Sequence, residues 1–462
     1  MAADETAGGP SMPPPLDPDA VLEAFDVALR STDADELELC LLGRAGEFTR
    51  FAGGRIHQPQ DITEAQVLVR AVVDGHARRG AVTILRDLPA AVARTAATAR
   101  RASAGRPSGE VQLAAARDAA EPAGLRCADT LEFDAAARGA AVRSALAEAA
   151  AAGGEVAGMF GRALTQQVVA TSTGVRLATT ATEASGALTA EVGDGTSHWI
   201  DLGRSARGLD VPGAVAEAIA LGARGRNRGE LPAGEYTVVL GCEAVGELLQ
   251  FLPGFGFDGE QAATGIGLCA KRAGELVGST LVTVGDDGSA EVGLPIGFDI
   301  EGTPRRLVPF FTAGLVGDPV TDLATARALG TPSTGHAHIA REEVPSAAAS
   351  NIVMAAGDLT EAELIAGVID GVYLQRFWYT QVVDAERGSI TGVSRDGCFR
   401  IRGGELAEPI AGMRFTQSVL DLLGTVDAVG NQRRGQPIMN VWNGASVAPA
   451  IRAHGFGLGV RS

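Results

Sequence analysis

The sequence predicts an α+β fold, in which an N-terminal mixed α/β region is followed by a glycine-rich, largely antiparallel β domain. First, Asp74-Gly75 stands between two apolar runs, and Asp-Gly is a favoured connection in antiparallel hairpins. Second, short strand candidates crowd the C-terminal half, and few of them alternate with helices as they would in a parallel α/β sheet. Third, a chain of 462 residues has room for two or three domains.

Changes in composition divide the chain into four predicted segments. Residues 1–17 are acidic and rich in Pro and Gly, without the basic and apolar regions of a signal peptide, so we expect a disordered lead. Residues 18–108 are predicted to form an N-terminal α/β domain and residues 109–230 a central α+β domain. Residues 231–462 are predicted to form the β-rich C-terminal domain.

The N-terminal domain mixes helix and strand patterns. Apolar side chains have helical spacing over residues 22–29, whereas residues 36–41 alternate as a strand does. The Asp-Gly turn lies in the middle of the hairpin predicted over residues 66–84. An Ala- and Arg-rich helix is predicted over residues 88–104.

The central domain starts after a Gly- and Pro-rich stretch at residues 105–109. An alanine-rich helix is predicted over residues 133–152, where a Gly-Gly pair follows and ends it. Residues 167–172 and 175–182 are Thr-rich and alternate in polarity, which indicates antiparallel strands with one polar face. A further helix is predicted over residues 211–224.

The C-terminal domain is dense in strands and is interrupted by a few helices. Its principal strand candidates are residues 237–240, 281–284, 306–311 and 371–374. Its helix candidates are residues 243–251, 261–276 and 360–370.

Charge and cysteine usage restrict the classes of function and the compartment. The formal net charge is −17, and an acidic chain without a basic stripe would be repelled by nucleic acid phosphates. No stretch of about 18 residues is apolar enough to span a membrane. The five cysteines are odd in number and scattered, without a CxxC pair, which is typical of a reduced chain. We therefore expect a cytoplasmic protein that binds neither nucleic acid nor membrane.

The most informative run, residues 239–248, looks like a metal-binding helix without histidines. A metallopeptidase helix uses neutral imidazoles to hold zinc and a carboxylate to activate the bound water. Here Glu243 supplies a carboxylate, but Cys242 and Glu247 stand at the flanking positions. These two lie five positions apart, or about 140° around a regular helix, so they would converge on one ion only if the helix were distorted.

Several interpretations of this helix stay open. The favoured one places Glu243 in the first turn, where the helix dipole favours a carboxylate, and leaves Glu247 in solvent. Glu243 and Glu247 share a helix face and could form an acid/base pair, although their like charges repel. Residual metal binding through Cys242 and an interface role for the helix are further alternatives. A nucleophilic Cys242 is disfavoured, because the neighbouring Glu243 opposes formation of the thiolate.

A second candidate is the pair His336 and His338, which could supply two ligands from one face of a strand. No third ligand lies nearby in the sequence. We therefore interpret both as polar surface histidines.

Landmarks in a consistent order make the chain resemble the TldD/PmbA family. Leu240 to Glu247 occupies the place of the HEAxGH helix in the TldD branch of that family. Other stretches resemble the family's hairpin, KxGE, aspartate turn, DxEGTP, STG and GGEI elements: residues 67–80, 271–275, 283–287, 299–304, 332–335 and 402–406. The resemblance covers nearly the whole chain after about residue 17.

The resemblance also shows where this chain departs from the zinc-binding branch. In TldD-type subunits the two histidines of HEAxGH and a late cysteine bind zinc, and the intervening glutamate is the general base. Here Cys242 and Glu247 replace the histidines, Glu243 keeps the position of the base, and no cysteine follows Cys398. The chain thus resembles the TldE/PmbA branch, for which no catalytic residue and no metal are expected.

The function that this resemblance implies is that of a non-catalytic subunit in a heterodimeric zinc metallopeptidase. The zinc would belong to a TldD-like partner, and this chain alone would be inactive and hold no cofactor. The substrates implied are unfolded peptides or amide bonds in peptide-like natural products. Asp299 and Glu301 would lie in the polar loop near the substrate cleft, or only hydrogen-bond to their own turn.

Two other classes of function remain. One is an independently active metal-dependent amide hydrolase, with Glu243 as base and with Cys242, Glu247 and His336 or His338 as a rebuilt site. The other is a non-catalytic protein-binding modulator, which matches an older description of the family as modulators of DNA gyrase.

Overall fold

The computed structural model of the protein describes residues 12, 14–339, 345–439 and 443–459. The predicted disordered lead, residues 1–17, falls mostly outside the described residues. The described residues form two large sheets and a small two-stranded sheet, with helices packed against them. The predicted α+β class is confirmed.

The N-terminal half contains six long strands and five α-helices in its described residues. The strands are β1 Glu36–Ala52, β2 Arg55–Val73, β3 His76–Val82, β4 Glu155–Thr171, β5 Arg176–Val192 and β6 Gly195–Gly203. The helices are α1 Pro18–Ser31, α2 Leu88–Ser103, α3 Ala128–Glu132, α4 Ala135–Ala151 and α5 Val211–Arg224.

These six strands form one antiparallel sheet in the order β3-β2-β1-β4-β5-β6. Strand β1 pairs with β4 from Glu38–Thr171 to Phe51–Gly158. The predicted boundary between residues 108 and 109 is therefore wrong, because strands from both predicted domains share one hydrogen-bonded sheet.

Helices cover this sheet, and the apolar side chains between the helices and the sheet form separate clusters. Val21 and Phe25 of α1 pack with Leu39 and Val69 of the sheet. Phe160 of the sheet lies in a second cluster, under α4 and α5. Aspartates cap α1 and α4 by accepting a backbone N–H with their side chains, which satisfies one of the free donors at each helix start.

The C-terminal half carries the remaining elements. Its strands are β7 Gly234–Leu240, β8 Val284–Asp286, β9 Val308–Thr312, β10 Leu315–Val316, β11 Ala337–Ile339, β12 Pro345–Ala347, β13 Asn351–Met354, β14 Asp370–Asp384, β15 Ser389–Arg402, β16 Glu405–Pro409, β17 Arg414–Ser418, β18 Ala428–Pro437 and β19 Ala445–Leu458. Its helices are α6 Cys242–Leu249, α7 Gly259–Ala263, α8 Leu268–Arg272, α9 Leu323–Leu329, α10 Glu361–Ala366 and α11 Val419–Gly424.

One predicted helix of this half, residues 261–276, is wrong. The structure has two short helices, α7 and α8, in its place. Gly265 and Gly267 between them have φ values of +72° and +97°. A regular right-handed helix cannot continue through residues in that backbone region.

The large sheet of this half positions α6. Strand β7 lies between β14, to which it is parallel, and β19, to which it is antiparallel. Buried Ala244, Val245, Leu248 and Leu249 pack the helix into the main core of this half. No helix in the described part of the chain is long and apolar enough to cross a membrane.

Candidate functional site

The candidate site is built around α6, which starts directly after the central strand β7. Gly241 is the N-cap residue of this helix. A Cβ atom at Gly241 would lie 3.2 Å from both the Gln375 carbonyl oxygen and the Tyr373 hydroxyl oxygen. Glycine thus allows the chain to turn from strand to helix close against β14.

Glu243 lies in the first turn of α6, as predicted, but it is only 6% exposed. Its Oε2 atom lies 2.7 Å from His198 Nδ1, and its Oε1 atom accepts a hydrogen bond of 3.1 Å from the Ile200 N–H. Both partners belong to β6. Both oxygens of the carboxylate are therefore held by the N-terminal sheet.

His198 is the residue of this site that sequence reasoning missed. It stands 45 positions from Glu243, and no motif surrounds it. Its main-chain N–H and C=O also bond to the Gln375 side chain of β14, at 3.1 and 2.6 Å. These contacts fix the edge of the first sheet against the second, so only the tertiary fold brings His198 to α6.

Glu247 does not lie in solvent, and that expectation was wrong. The side chain is half-buried, and its Oε1 atom accepts a hydrogen bond from the Thr380 hydroxyl. Its Oε2 atom accepts one of 2.5 Å from Gln250 Nε2. Burial raises the pKa of this carboxyl, and the two hydrogen bonds oppose the rise.

Cys242 is half-buried, and its Sγ atom lies 3.7 Å from the Gln432 carbonyl oxygen. Burial raises the pKa of the thiol to about 12, although the nearby Arg434 acts in the opposite direction. At neutral pH the side chain is a thiol and not the nucleophilic thiolate.

The Gln436 side chain, from β18, inserts beside the main chain of α6. In the orientation that satisfies both amide atoms, its nitrogen donates to the Glu243 carbonyl oxygen at 3.3 Å and its oxygen accepts from the Glu247 N–H at 2.7 Å. In a regular α-helix those two main-chain groups bond to each other. A side chain inserted there is a known cause of local helix distortion.

Asp299 and Glu301, the predicted cleft residues, are both fully buried. Asp299 Oδ1 accepts hydrogen bonds from the N–H groups of Glu301 and Thr303, at 3.0 and 2.8 Å, and Oδ2 accepts one of 2.9 Å from the Ala337 N–H. Burial and the Glu301 charge raise the pKa of Asp299. Asp299 thus hydrogen-bonds both to its own turn and to Ala337 of β11, which favours a structural role.

Glu301 joins that turn to the N-terminal sheet. Its Oε1 atom lies 2.7 Å from Arg70 Nη1, and its Oε2 atom accepts a hydrogen bond of 3.0 Å from the Leu323 N–H. Glu38 also pairs with Arg70, at 3.4 Å. A place in a substrate cleft stays a prediction for Asp299 and Glu301.

His336 and His338 are buried, so their interpretation as surface histidines was wrong. His336 Nε2 lies 2.9 Å from Asp286 Oδ1, and its Nδ1 atom lies 2.9 Å from the Thr334 hydroxyl oxygen. His338 Nδ1 bonds to the Ile339 carbonyl oxygen at 2.8 Å. Across residues 14–339, 345–439 and 443–459, no three His, Cys, Asp or Glu side chains are grouped as metal ligands.

The C-terminal half of the chain matches a known protein family. Residues 233–459 match the family model of the PmbA/TldA metallopeptidase C-terminal domain. A "Metalloprotease" of Methanothermobacter thermautotrophicus is 29% identical over 203 residues, which cover 44% of each chain. A "Metalloprotease TldD homolog" of Haemophilus influenzae is 29% identical over 205 residues, 44% of this chain and 42% of the relative. The matched region thus spans less than half the length of these relatives.

Solved structures share the fold over nearly the whole chain. TldE from Thermococcus kodakarensis superposes with a TM-score of 0.82 at 20% identity, and covers 95% of this chain and 100% of that one. A "putative modulator of a DNA gyrase" from Thermotoga maritima has a TM-score of 0.79 at 17% identity, with 95% and 99% covered. The family model thus identifies residues 233–459 as a PmbA/TldA metallopeptidase C-terminal domain, and the solved structures show that nearly the whole chain shares their fold.

Proposed function

We propose that this chain is the non-catalytic, TldE/PmbA-type subunit of a heterodimeric zinc metallopeptidase. Its partner would be a TldD-like chain that carries an HEAxGH helix and the zinc ion. The substrates would be unfolded peptides or amide bonds of peptide-like natural products, hydrolysed in the cytoplasm.

The observation that carries the proposal is the use of the Glu243 carboxylate. A general base must be free to take a proton from a bound water. Glu243 instead has one oxygen against His198 and the other on the Ile200 N–H. Both carboxylate oxygens therefore take part in contacts between the two sheets. This supports a structural role for Glu243, which stands where the general base of HEAxGH would be.

Cys242 and Glu247, which stand at the positions of the two HEAxGH histidines, support the same conclusion. Zinc is held by thiolate, neutral imidazole or carboxylate groups. In the part of the chain that the structure describes, no three His, Cys, Asp or Glu side chains are grouped as metal ligands, and both oxygens of Glu247 already accept hydrogen bonds. These side chains therefore do not fit a zinc site.

The family supports the hydrolytic activity of the complex. The curated relatives carry metalloprotease names, and the solved neighbour with a TM-score of 0.82 is a TldE protein. A domain built mainly of strands could hold an extended substrate by main-chain pairing. That mode suits unfolded chains, whose main-chain groups are free.

The proposal is tested by purifying the chain alone and with a TldD-like partner. An unfolded peptide would be the substrate, and cleavage would be followed with and without a chelator. We expect the pair to form a complex that cleaves the peptide. The isolated chain should neither cleave the peptide nor bind zinc. Chelator-sensitive cleavage by the isolated chain, with about one tightly held zinc per chain, would show an independently active hydrolase instead.

Matched variants locate the catalytic glutamate. Glu243→Gln in this chain keeps the side-chain shape and removes the charge, and should leave the turnover of the complex within about twofold. The same change at the HEAxGH glutamate of the partner should reduce turnover at least about a hundredfold, the usual order for loss of a general base. Equal losses in both chains would overturn the non-catalytic assignment.

A further inference from the structure

A cavity of about 230 Å³ lies between one side of the first sheet and the C-terminal half. Its wall is formed by side chains of β1, β2 and β3 together with Ile300 and Ile339. We name it the β3 cavity. Since a protein cavity of roughly 150 Å³ is large enough to bind benzene, the β3 cavity can hold a small organic molecule.

The strand register fixes which side chains project into the β3 cavity. Leu68 of β2 lies opposite Ala81 of β3, and Arg70 lies opposite Arg79. Side chains opposite each other on neighbouring strands, or two positions apart on one strand, project from the same face of a sheet. Gln66, Leu68, Arg70, Arg79 and Ala81 therefore share one face, and all five line the cavity.

Arg79 offers hydrogen-bond donors to the cavity. Its side chain is 40% exposed, and its ion contact with Glu301 Oε1 is 3.8 Å long, which is longer than a hydrogen bond. Glu301 instead bonds to Arg70 and to the Leu323 N–H. Within the described part of the chain, the Arg79 guanidinium makes no hydrogen bond. Its planar set of donors is therefore accessible to a carboxylate.

Gln66 offers a second polar group, farther along β2. It stands four residues before Arg70, which places the two positions about 13 Å apart along the strand. Gln66 is half-buried, and its carboxamide has no hydrogen-bond partner among the described residues. Neither of its amide atoms is sealed from solvent. The carboxamide can therefore both donate to and accept from a ligand.

The wall between these two polar groups is apolar. Leu68 and Ala81 line it on the sheet side. Ile300 and Ile339 are buried on the other side, where they pack in one cluster with Cys40 and Leu68. An aliphatic ligand would gain from covering these surfaces.

The carboxyl group in the wall, Glu38, is compatible with an anion at Arg79. Glu38 is buried and lies 3.4 Å from Arg70 Nη1. Burial raises its pKa to about 7, although Arg70 opposes the rise. Glu38 is therefore mostly uncharged in slightly acidic solution, whereas Arg79 keeps its positive charge there.

We propose that the β3 cavity binds a short linear aliphatic carboxylate that carries a hydroxyl or amide group at its far end. The carboxylate accepts hydrogen bonds from Arg79, and the aliphatic body lies against Leu68, Ile300 and Ile339. The far group bonds to the Gln66 carboxamide. This site is separate from the proposed peptidase function and does not depend on it.

The test is a calorimetric titration of the purified chain with ω-hydroxyhexanoate at about pH 6, where the ligand is ionised. The diol α,ω-hexanediol lacks the carboxylate, and acetate lacks the aliphatic body. We expect ω-hydroxyhexanoate to bind at least about tenfold more tightly than either of them. Absence of saturable binding up to millimolar concentration, or equal binding of the diol, would overturn the proposal.

Two variants tie the binding to the cavity. Arg79→Gln should weaken it at least about tenfold, because it removes the charged donors. Arg78→Gln is the matched control, since Arg78 is the neighbour of Arg79 on β3 and projects from the opposite face. This control should bind like the wild type. Ala81→Leu enlarges an exposed lining side chain and should block the ligand. Unchanged binding in folded Arg79→Gln or Ala81→Leu would overturn the assignment to this cavity.

Gln66→Leu tests the contact with the far group. This change keeps the size of the side chain and removes its hydrogen-bonding atoms. It should weaken ω-hydroxyhexanoate at least about threefold and leave the binding of hexanoate, which lacks the hydroxyl group, unchanged. Equal effects on the two ligands would overturn the role of Gln66.

Discussion

His198 Nδ1 lies 2.7 Å from Glu243 Oε2. This contact joins β6, the edge strand of the first sheet, to the first turn of helix α6, which packs against the second sheet. His198→Ala would leave a buried carboxylate oxygen without its partner. Such a loss costs about 1–3 kcal/mol. We expect that decrease in the free energy of unfolding, measured by urea denaturation.

The matched control for this pair is His454→Ala. His454 Nε2 also lies 2.9 Å from an aspartate, Asp427, but this histidine is about half exposed. Exposed ion pairs contribute about 0–1 kcal/mol. A loss as large for His454→Ala as for His198→Ala would contradict the importance that we assign to burial.

Gly246 should be intolerant of alanine, although it is in a helix. Alanine is normally preferred there by about 0.5–1 kcal/mol. At Gly246 a Cβ atom would lie 3.0 Å from the Gln436 side chain, which bonds to the α6 main chain. Overpacking of this kind costs about 1–3 kcal/mol, so we expect Gly246→Ala to lower the midpoint of thermal unfolding.

Gly139 of α4 supplies the control, because a Cβ atom there would come no closer than 3.4 Å to the mobile end of Arg143. Gly139→Ala should raise the midpoint or leave it unchanged. If both substitutions raised it, Gln436 would not be held rigidly against α6.

The contacts that His198 and Gln436 make with α6 show how much of the site could be predicted from the sequence. The position of Glu243 in the first turn of α6 followed from local helix rules, and so did most element types. The partners His198 and Gln436 could not be predicted, because they come from β6 and β18 and reach α6 only through sheet pairing and domain packing. The burial of Glu247 was missed for the same reason, since Thr380 comes from β14.

Glu38 should make the fold less stable as the pH rises. Burial and the Glu301 charge raise its pKa from 4.5 to about 7, although Arg70 opposes the rise. Because the folded-state pKa lies above the unfolded value, its favourable contribution is present below about pH 4.5 and lost as the pH rises to about 7. Glu38→Gln should therefore stabilise the protein by about 1–3 kcal/mol at pH 8 relative to its effect at pH 4.5.

Urea denaturation of Glu38→Gln across that pH range measures the difference. Glu64→Gln, at an exposed position of β2, is the control for a change of net charge. A stability difference that does not vary with pH would show that Glu38 is not protonated preferentially in the fold.

Asp286 should have the opposite dependence on pH. Charge and hydrogen bonding from His336, the Arg305 charge and the Asn351 N–H lower its pKa to about 2, against the effect of burial. A lowered folded-state pKa stabilises the fold above the unfolded value, and the contribution is lost as the pH falls from about 4 to 2. It amounts to about 2 kcal/mol at neutral pH.

Asp286→Asn should remove this contribution, together with part of the stability from its hydrogen bonds. The free energy of unfolding is measured at pH 7 and then in steps down to pH 3. The exposed Asp61→Asn serves as the control. Equal loss of stability with acid in wild type and Asp286→Asn would contradict the lowered pKa.

Cys242 should react slowly with iodoacetamide, because burial keeps its thiol protonated. A pKa of about 12 leaves only about one part in 10⁴ as thiolate at pH 8, and the thiolate is the species that reacts. Alkylation followed by peptide mass spectrometry gives the rate for each cysteine. We expect Cys242 to react at least about tenfold more slowly in the folded chain than in 6 M urea, at the same pH. A rate in the folded chain equal to the unfolded rate would mean an available thiolate and would contradict the raised pKa of Cys242.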